Sequence, residues 1–430
     1  MNRTVEKGKT LLVDGPASVT VISGIAEVFG STVSSKGKVV IREGKRLPFT
    51  AKETTSLEIS LGENASVEEV DGSTIPPSWI EASEQLLNFQ KKPVAAIVVG
   101  TVDSGKTSFC TYLTNKLLQE KQKVAILDGD LGQSDIGPPC TVAYTFVTKP
   151  VTDLFNLEAK NAFFVGATSP STAINKVIEG LTSLKKEILN NNSDFIVINT
   201  DGWVEGEDAV NYKVQLAKEL NSDVIFCIQQ KDKLAPLINS LEGIQKLVVE
   251  FPSAIKQRSR EKRRSLRELG YIKYLRNAKV QSLPIGWLKI EANEFLGLGV
   301  THENMKQAKR IYDFLGMNPL HFAELKDKVC IVVGRSRWIS EEKIRKLEEI
   351  MGKKIVVIHK GEEEGLLVAL YNNDKKFLGI GIIREIDYSR KTLKIFTPVS
   401  EGISIVALGK VKLDKNLKET PAFLEKVENL

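Results

Sequence analysis

The chain has 430 residues, of which 42% are hydrophobic and 27% charged, and 60 Lys and Arg against 54 Asp and Glu give a formal charge of +6. This composition is typical of a globular protein of two or three domains, and it excludes a disordered or collagen-like chain. No apolar run approaches the ~18–20 residues of a membrane helix, and the first ten residues lack the apolar core of a signal peptide, so we expect a cytoplasmic protein without membrane contact. Four isolated Cys and three His argue against a zinc site, a disulfide framework and histidine-based catalysis.

Residues 1–75 predict a small β domain, either a sandwich or a barrel. Short apolar and β-branched runs alternate there with Gly, Pro, Asn and Ser clusters, and the runs are Ser18–Ile22, Ala26–Phe29, Lys38–Ile41 and Ser56–Leu61. Two prolines end the pattern, and residues 78–89 have helical spacing with Ser78 as a candidate N-cap. We therefore expect a connecting helix within residues 76–91.

Residues 92–299 predict an α/β domain with a parallel sheet and helices on both faces. Apolar strands alternate there with longer helical patterns, and the strands are Val94–Val99, Val124–Leu127, Ala162–Val165, Phe195–Ile198 and Val224–Ile228. Residues 300–430 predict a second, mostly β domain. It comprises one helical stretch, Glu303–Leu315, and the strands Val329–Val333, Ile355–His359, Leu366–Tyr371, Thr392–Phe396 and Ile403–Leu408.

A phosphate-binding loop follows the first strand of the α/β domain. The segment GTVDSGKT at residues 100–107 matches GxxxxGK[ST] between an apolar strand and a helix, which indicates a P-loop NTPase-type sheet. In such a loop Lys106 reaches the β and γ phosphates, and the Thr107 hydroxyl holds Mg²⁺ or another divalent cation. The residues predicted to bind ATP here are Gly100, Thr101, Val102, Asp103, Ser104, Gly105, Lys106, Thr107 and Ser108.

Acidic residues end two later strands of the predicted sheet. Asp128 and Asp130 follow one strand, and Asp201 follows another. Ligands of parallel sheets gather at the carboxyl ends of the strands, so these carboxylates are candidates for the magnesium and base roles. An Asp at a strand end can equally be a helix cap or turn former. Trp203, in a Gly-flanked loop, is either packed or a stacking platform for a base.

A basic segment at residues 254–276 interrupts the α/β pattern. Within it Lys256 to Arg276 carries nine Lys and Arg against two acidic residues. This local charge of +7 leaves about −1 for the rest of the chain. Three interpretations remain open: a solvated helix, a lid whose arginines neutralise a transferring phosphoryl group, and a grip on a nucleic-acid backbone. The [NT]KxD guanine signature of GTPases is absent at the corresponding position, which reads QQKD.

Together these motifs resemble the polynucleotide 5′-hydroxyl kinases, a family that includes the RNA kinase subunit of eukaryotic pre-mRNA cleavage factor and its archaeal relatives. The similarity rests on GIAEVFG at 24–30, GTVDSGKT at 100–107, DGDLGQ at 128–133, TSP at 168–170, NTDGW at 199–203 and RSREKRR at 258–264. The resemblance implies an ATP- and Mg²⁺-dependent transfer of phosphate to the 5′-hydroxyl end of RNA, with DNA as an open second substrate and RNA-processing proteins as partners.

The resemblance also implies site roles. Asp130 corresponds to the general base, Asp128 to a group at magnesium, and Arg258 and Arg263 to the catalytic lid arginines, with Arg260 and Arg264 as alternative matches. Glu27 is placed near the adenine of ATP. The residues implied at the nucleic-acid substrate are Gln133, Thr168, Ser169, Trp203 and Arg264.

Two other functions stay open at this point. The first is an ATP-binding scaffold of an RNA-processing complex that transfers no phosphate. The second is a nucleotide-dependent enzyme that acts on a small molecule. Intact Lys106, Asp130 and lid arginines favour phosphoryl transfer, because a scaffold has no need of them all.

Overall fold

The computed structural model describes residues 1–291, 311–325 and 328–420. Cα packing divides the chain into two units, Met1–Arg267 and Glu268–Leu430. Among the described residues, no helix is both long and apolar enough to cross a bilayer.

The first unit begins with a β sandwich. One sheet has the strand order β1-β8-β3-β6 and the other β5-β4-β7-β2-β9, where the strands are β1 Asn2–Val5, β2 Thr10–Asp14, β3 Ala17–Ser23, β4 Ala26–Val28, β5 Ser31–Val33, β6 Lys38–Ile41, β7 Arg46–Ala51, β8 Thr55–Leu61 and β9 Val67–Val70. Leu11, Val13 and Phe49 from one sheet pack in a common core with Val19 and Ile59 from the other. The alternation of buried and exposed residues in β3 and β8 reflects this single buried face.

Helix α1, Pro77–Leu87, follows the sandwich and begins one residue earlier than predicted. The predicted N-cap role of Ser78 is wrong, because Pro76 occupies the cap position and no side chain caps the helix. The Ser78 hydroxyl instead donates to the Glu250 carboxylate at 2.9 Å and accepts from the Glu250 amide at 2.9 Å. Trp79 is buried, and its indole N–H donates to the Glu250 carbonyl at 3.1 Å. The helix is thereby tied to the last strand of the central sheet.

The central sheet of the first unit has seven strands in the order β13-β12-β11-β14-β10-β15-β16. They are β10 Val94–Gly100, β11 Val124–Gly129, β12 Thr141–Val147, β13 Asn161–Phe164, β14 Phe195–Thr200, β15 Val224–Gln229 and β16 Gln245–Glu250, and the helices between them are α2 Lys106–Gln119, α3 Ile174–Leu189, α4 Glu207–Glu219 and α5 Ala235–Ser240. Ile97 packs in one cluster with Leu181 of α3 and Leu216 of α4, whereas Phe109 of α2 contacts the Phe226 ring with 5.2 Å between centroids. Both faces are therefore covered, which explains the fully apolar strands.

Four of the five predicted strands, β10, β11, β14 and β15, pair in parallel together with β16, whereas β12 and β13 at one side of the sheet do not. β12 pairs antiparallel with β11, and β13 pairs antiparallel with β12. The predicted parallel pairing of Ala162–Val165 is therefore wrong. Strands β12 and β16 were not predicted. β16 has mostly exposed or half-buried side chains as an edge strand, so it lacks the apolar signal of its neighbours.

Helix α6, Arg260–Tyr274, confirms the helical spacing of the basic segment. The following elements belong to the second unit: β17 Lys279–Pro284, β18 Lys289–Glu291, β19 His321–Glu324, β20 Lys328–Val333, α7 Glu341–Met351, β21 Lys354–His359, β22 Leu366–Tyr371, β23 Phe377–Asp387, β24 Thr392–Thr397, β25 Ile405–Leu413 and β26 Glu419–Thr420. They form a sheet in the order β17-β24-β23-β22-β25-β18, with β26 on β25, and a three-stranded sheet β19-β20-β21. The five strands predicted after residue 300 are all present as β20, β21, β22, β24 and β25.

Two further expectations concern this region. The predicted helix Glu303–Leu315 lies mostly outside the described residues, and residues 311–315 are helical. β17 and β18 pair with β24 and β25, whereas the predicted division assigned them, up to residue 299, to the P-loop domain. The division of the chain into four parts stays a prediction.

Candidate active site

A cavity of about 710 Å³ opens at the carboxyl ends of β10, β11 and β14 in the first unit. Its walls come from the phosphate loop, the segment after Asp130, the NTDGW loop, the start of α6 and the edge of the β sandwich. Of the predicted site residues, those that line it are Val102, Asp103, Ser104, Gly105, Lys106, Thr107, Ser108, Asp130, Gln133, Thr168, Ser169, Trp203, Arg258 and Arg263. The sequence motifs are therefore brought to one place.

The phosphate loop has the geometry that its sequence predicts. Gly105 has φ of 91°, in the region that favours glycine, and caps the N-terminus of α2. The buried Lys106 ammonium donates to the Thr101 carbonyl at 2.8 Å, and burial lowers the pKa of Lys106. Gly100 and Thr101 do not line the cavity, because Gly100 ends β10 and Thr101 holds the lysine from behind. The loop therefore presents a lysine that is fixed in position before any anion arrives.

Ser104, within the phosphate loop, also suits an anion. Its hydroxyl is buried and has no hydrogen-bond partner among the residues that the structure describes. A buried hydroxyl without a partner is costly, so a ligand oxygen at the loop would satisfy it. The residues present thus fit the phosphates of ATP.

Asp130 lines the cavity, and backbone donors occupy one of its two carboxylate oxygens. Its Oδ1 accepts hydrogen bonds from the amides of Gly132 and Gln133, each at 3.0 Å. Burial raises the pKa of Asp130 above its ordinary value, and the nearby Lys106 charge opposes this shift. A carboxylate with a raised pKa and a fixed orientation is suited to accept a proton from a hydroxyl.

Asp128 precedes Asp130 by two residues and is fully buried. Its Oδ1 accepts from Asn199 Nδ2 at 2.9 Å and from the Asp130 amide at 3.2 Å, and its Oδ2 accepts from the amides of Asp135 and Ile136 at 2.8 and 3.3 Å. Burial, together with the carboxylates of Asp135 and Asp130, raises the pKa of Asp128 to about 7.

The predicted role of Asp128 at magnesium is corrected on this geometry. The carboxylate does not line the cavity, and protein donors occupy both of its oxygens. Its hydrogen bonds connect the segment after β11 to Asn199 of β14. We therefore assign Asp128 a structural role and leave the cavity chemistry to Asp130.

Asp128→Asn is expected to destabilise the protein. An amide can accept at only one end, so its NH₂ group would face two backbone or side-chain donors and leave them unpaired in the interior. Loss of partners for buried donors should lower the free energy of unfolding by about 1–3 kcal/mol. Denaturant unfolding measures this, with the exposed Asp208→Asn as control. Equal stability of the two variants would contradict the structural role.

Asp201 is the third carboxylate, and its surroundings were not foreseen. Its Oδ2 accepts from the buried Lys213 ammonium at 2.8 Å and from the Tyr212 hydroxyl at 3.0 Å, and its Oδ1 accepts from the Trp203 amide at 2.9 Å. Lys213 lies within an ordinary helical pattern of α4, so no sequence signal marks it. This network fixes the NTDGW loop.

Trp203 lines the cavity and stacks on Tyr212, with 5.8 Å between ring centroids and 25° between planes. The loop also approaches the phosphate loop closely: a Cβ on Gly202 would lie 2.7 Å from the Val102 amide nitrogen. Only glycine allows this approach. The tryptophan is therefore both supported from behind and held near the phosphate loop.

The start of α6 places arginines over the phosphate loop. Arg260, Arg263 and Arg267 repeat at helical spacing and line the cavity, and Arg258 lines it from the residues just before the helix. Arg264 is exposed and does not line the cavity, because the helix register places it away from Arg260, Arg263 and Arg267. The predicted contact of Arg264 with the substrate is therefore corrected.

Asp103 of the phosphate loop holds two of these arginines. Its carboxylate accepts from the Arg258 amide at 3.0 Å and from Arg263 Nη1 at 3.3 Å, and it lies 3.8 Å from Arg258 Nη1. Arg263 Nη1 also donates to the Arg258 carbonyl at 2.7 Å. Asp103 was expected only as part of the ATP-binding loop, and this link to the lid arginines is new.

Three predicted substrate residues also line the cavity. Gln133 donates to the Arg263 carbonyl at 2.9 Å, so it also contacts α6. Thr168 and Ser169 line the cavity, and the Ser169 hydroxyl accepts from the Ser171 amide at the start of a short 3₁₀ turn. Glu27, expected near adenine, does not line the cavity and pairs with Lys52 at 3.1 Å, whereas Phe29 of the same segment does line it.

Buried ion pairs join the β sandwich to the site. Arg42 bonds to Asp135 and, at 2.7 Å, to Asp153, while Lys45 lies 3.1 Å from Asp135 and 3.6 Å from Asp153. Burial alone would raise the pKa of Asp153, but Lys45 and Arg42 outweigh it and lower that pKa. Arg42, Lys45 and Asp135 also line the cavity, so the sandwich contributes to its wall.

The donor chemistry fits a magnesium ion bound with nucleotide. Mg²⁺ in such sites takes one or two protein oxygens, and phosphates and water supply the rest. The Thr107 hydroxyl and the Asp130 carboxylate line the cavity and are oxygen donors of this type, whereas protein donors occupy both oxygens of Asp201. No cluster of three or more His, Cys, Asp or Glu forms a dedicated metal cage within residues 1–291, 311–325 and 328–420.

Comparison with known proteins agrees with this site. Residues 100–277 match the family model described as the P-loop of mRNA cleavage and polyadenylation factor CLP1. The chain is 28% identical over 349 residues to a polyribonucleotide 5′-hydroxyl-kinase of Pyrococcus furiosus, covering 80% of this chain and 94% of the relative. It is 27% identical over 357 residues to a protein of the same name from Methanocaldococcus jannaschii, with the same coverage.

The fold comparison extends over the whole chain. In the solved complex of wild-type Clp1p with Pcf11p, the matching chain superposes with a TM-score of 0.67 at 13% identity, covering 96% of this chain and 97% of that one. At this identity the likeness concerns the fold alone, a P-loop sheet with flanking β regions as predicted. The chain is therefore similar in its P-loop region to the CLP1 family, and over 80% of its length to archaeal polyribonucleotide 5′-hydroxyl-kinases.

Proposed function

We propose that the protein is an ATP-dependent polyribonucleotide 5′-hydroxyl kinase, which transfers the γ-phosphate of ATP to the 5′-hydroxyl end of RNA. One observation carries this proposal: Lys106, the Asp130 carboxylate and the arginines at the start of α6 line a single cavity. The names of the archaeal relatives, polyribonucleotide 5′-hydroxyl-kinases, support the same activity.

The geometry suggests how each group acts. Lys106 and the amides of the phosphate loop bind the phosphates, and Asp130 accepts the proton that the attacking 5′-hydroxyl loses. Arg258 and Arg263 balance negative charge on the phosphoryl group as it moves. Mg²⁺, held with the help of Thr107, would further neutralise the β and γ phosphates. Trp203 offers a face on which the terminal base stacks.

The test uses γ-labelled ATP and an RNA oligonucleotide with a 5′-hydroxyl end. We expect label on this RNA and none on the same RNA with a 5′-phosphate, because the acceptor oxygen is then blocked. A free nucleoside as acceptor separates this function from a small-molecule enzyme. Absence of transfer to RNA over a range of salt and temperature would reject the proposal.

Substrate range and partners are part of the proposal. Stacking and backbone contacts tolerate many sequences, so we propose low sequence preference, with DNA ends as weaker or equal acceptors to be measured beside RNA. The likeness to Clp1p, solved in complex with Pcf11p, supports protein partners in RNA processing. The cytoplasmic location stays a prediction. Stable partners combined with no turnover would favour the scaffold alternative.

Asp103→Ala should lower kcat more than it raises the KM for ATP. Without the carboxylate, the Arg258 amide and the Arg263 guanidinium lose the acceptor that holds them at the phosphate loop. Misplaced catalytic groups cost about 10–100-fold in rate. Asp103→Asn keeps an acceptor for the amide and should fall between Asp103→Ala and the wild type. Steady-state kinetics measures these values, and a wild-type kcat in Asp103→Ala would contradict the positioning role.

A further inference from the structure

The second unit presents an exposed tryptophan between arginines. Trp338 lies in the loop from β20 to α7 and is 77% exposed, whereas Trp79 in the first unit is 1% exposed. Arg337 precedes it and is exposed, and the Arg335 side chain is 77% exposed. Trp338 therefore offers its indole face to solvent with two exposed arginines within three residues of it.

The Trp338 loop has several fixed points. The Arg337 amide donates to the Gly334 carbonyl at 2.9 Å, and the His359 ring bonds to the Arg337 carbonyl at 2.8 Å. The next residue, Ile339, is buried and anchors the loop in the core of the unit. The tryptophan is thus presented from an ordered backbone, which reduces the entropy lost on binding.

A cleft of about 430 Å³ adjoins this loop. Its polar walls include Arg384, Lys412 and Lys415 against Glu364 and Asp414. Contacts of Arg335 link loop and cleft. Its guanidinium lies 3.9 Å from the Glu364 carboxylate, and a Cβ on Gly361, which lines the cleft, would lie 2.5 Å from Arg335 Nη2. Arg335 therefore connects the loop that carries Trp338 with a cleft that has three basic and two acidic side chains, and loop and cleft are treated together as one surface.

We propose that this surface binds a single-stranded segment of the RNA substrate outside the phosphoryl-transfer site. A base stacks on Trp338, and phosphates contact Arg335, Arg337 and the basic side of the cleft. Aromatic stacking beside backbone charges is the general mode of sequence-tolerant single-strand binding. An acidic peptide would use the charges but would gain little from the exposed indole face. The inference rests on the proposed function only in naming RNA as the polymer.

The experiment measures binding without ATP, so that it is independent of phosphoryl transfer. A labelled single-stranded RNA of about 20 nucleotides is titrated with protein, and fluorescence anisotropy gives the Kd. Trp338→Ala should raise the Kd about tenfold, and Trp338→Phe should restore most of the affinity. Arg335→Ala with Arg337→Ala should raise the Kd and reduce the salt dependence by about one to two phosphate contacts.

Trp287 provides a matched control, because it is 82% exposed in the same unit but is flanked by Gly286 and Leu288. Trp287→Ala should bind like the wild type. Equal Kd values for Trp338→Ala and Trp287→Ala would overturn the proposal, as would displacement of the RNA by polyglutamate at equal charge. If the Kd changes as expected while no phosphate is transferred, the surface stands and the proposed kinase function fails.

Discussion

Asp130→Asn is expected to reduce phosphoryl transfer on the order of 10³-fold while ATP binding stays close to that of the wild type. The amide oxygen of asparagine can still accept the bonds from Gly132 and Gln133, so the local backbone should keep its shape. What is lost is the ability to take a proton, which contributes about 10²–10⁴-fold in general base catalysis. Single-turnover transfer and calorimetric ATP titration measure the two quantities separately, with the exposed Asp208→Asn as control.

The pH dependence gives an independent check on this base. Burial raises the pKa of Asp130 above its ordinary value of 3.8. Only the ionised carboxylate accepts a proton, so kcat/KM should fall as the pH falls through the raised pKa, at a pH higher than for an exposed carboxylate. An acid limb at or below pH 3.8, or full activity in Asp130→Asn, would assign the proton transfer to another group.

Lys106→Ala is expected to abolish transfer, with a loss on the order of 10³-fold in kcat/KM. The ammonium is buried and donates to the Thr101 carbonyl, so alanine removes a cation that is fixed at the loop. Lys106→Arg should also be inactive, because the larger guanidinium does not fit the same buried space.

Lys116→Ala, a change on the same helix outside the cavity, is the matched control for Lys106. It should leave both ATP binding and transfer unchanged. A Lys106→Ala protein that retains more than about a tenth of wild-type kcat/KM would show that the lysine does not act on the transferred phosphate.

The phosphate loop and the central sheet could be predicted because their signals are local. An apolar strand, a glycine pattern and a helix start follow one another within residues 94–119, and each has a direct physical meaning. The same holds for the basic helix α6, whose charge is visible in the sequence. Strand β12, next to one edge, and the edge strand β16 were missed because their pairing depends on neighbours elsewhere in the chain.

The roles of the carboxylates could not be separated by sequence. Asp128 lies within β11 and is buried, whereas Asp130 follows the last residue of the strand, Gly129, and lines the cavity. The tie from Asp128 to Asn199 spans 71 residues, and the link from Asp103 to Arg263 spans 160. Contacts of this range follow from the fold and leave no local pattern.

The pairing of Arg42 and Lys45 with Asp135 and Asp153 limits how the chain can be shortened. A fragment that starts after residue 75 would keep every phosphate-binding motif, yet it would leave two buried carboxylates without their cations. Removing one partner of a buried pair costs about 3–5 kcal/mol, which is a large part of the stability of an ordinary domain. The smallest fragment suited to kinetic or crystallographic work therefore has to retain the N-terminal sandwich.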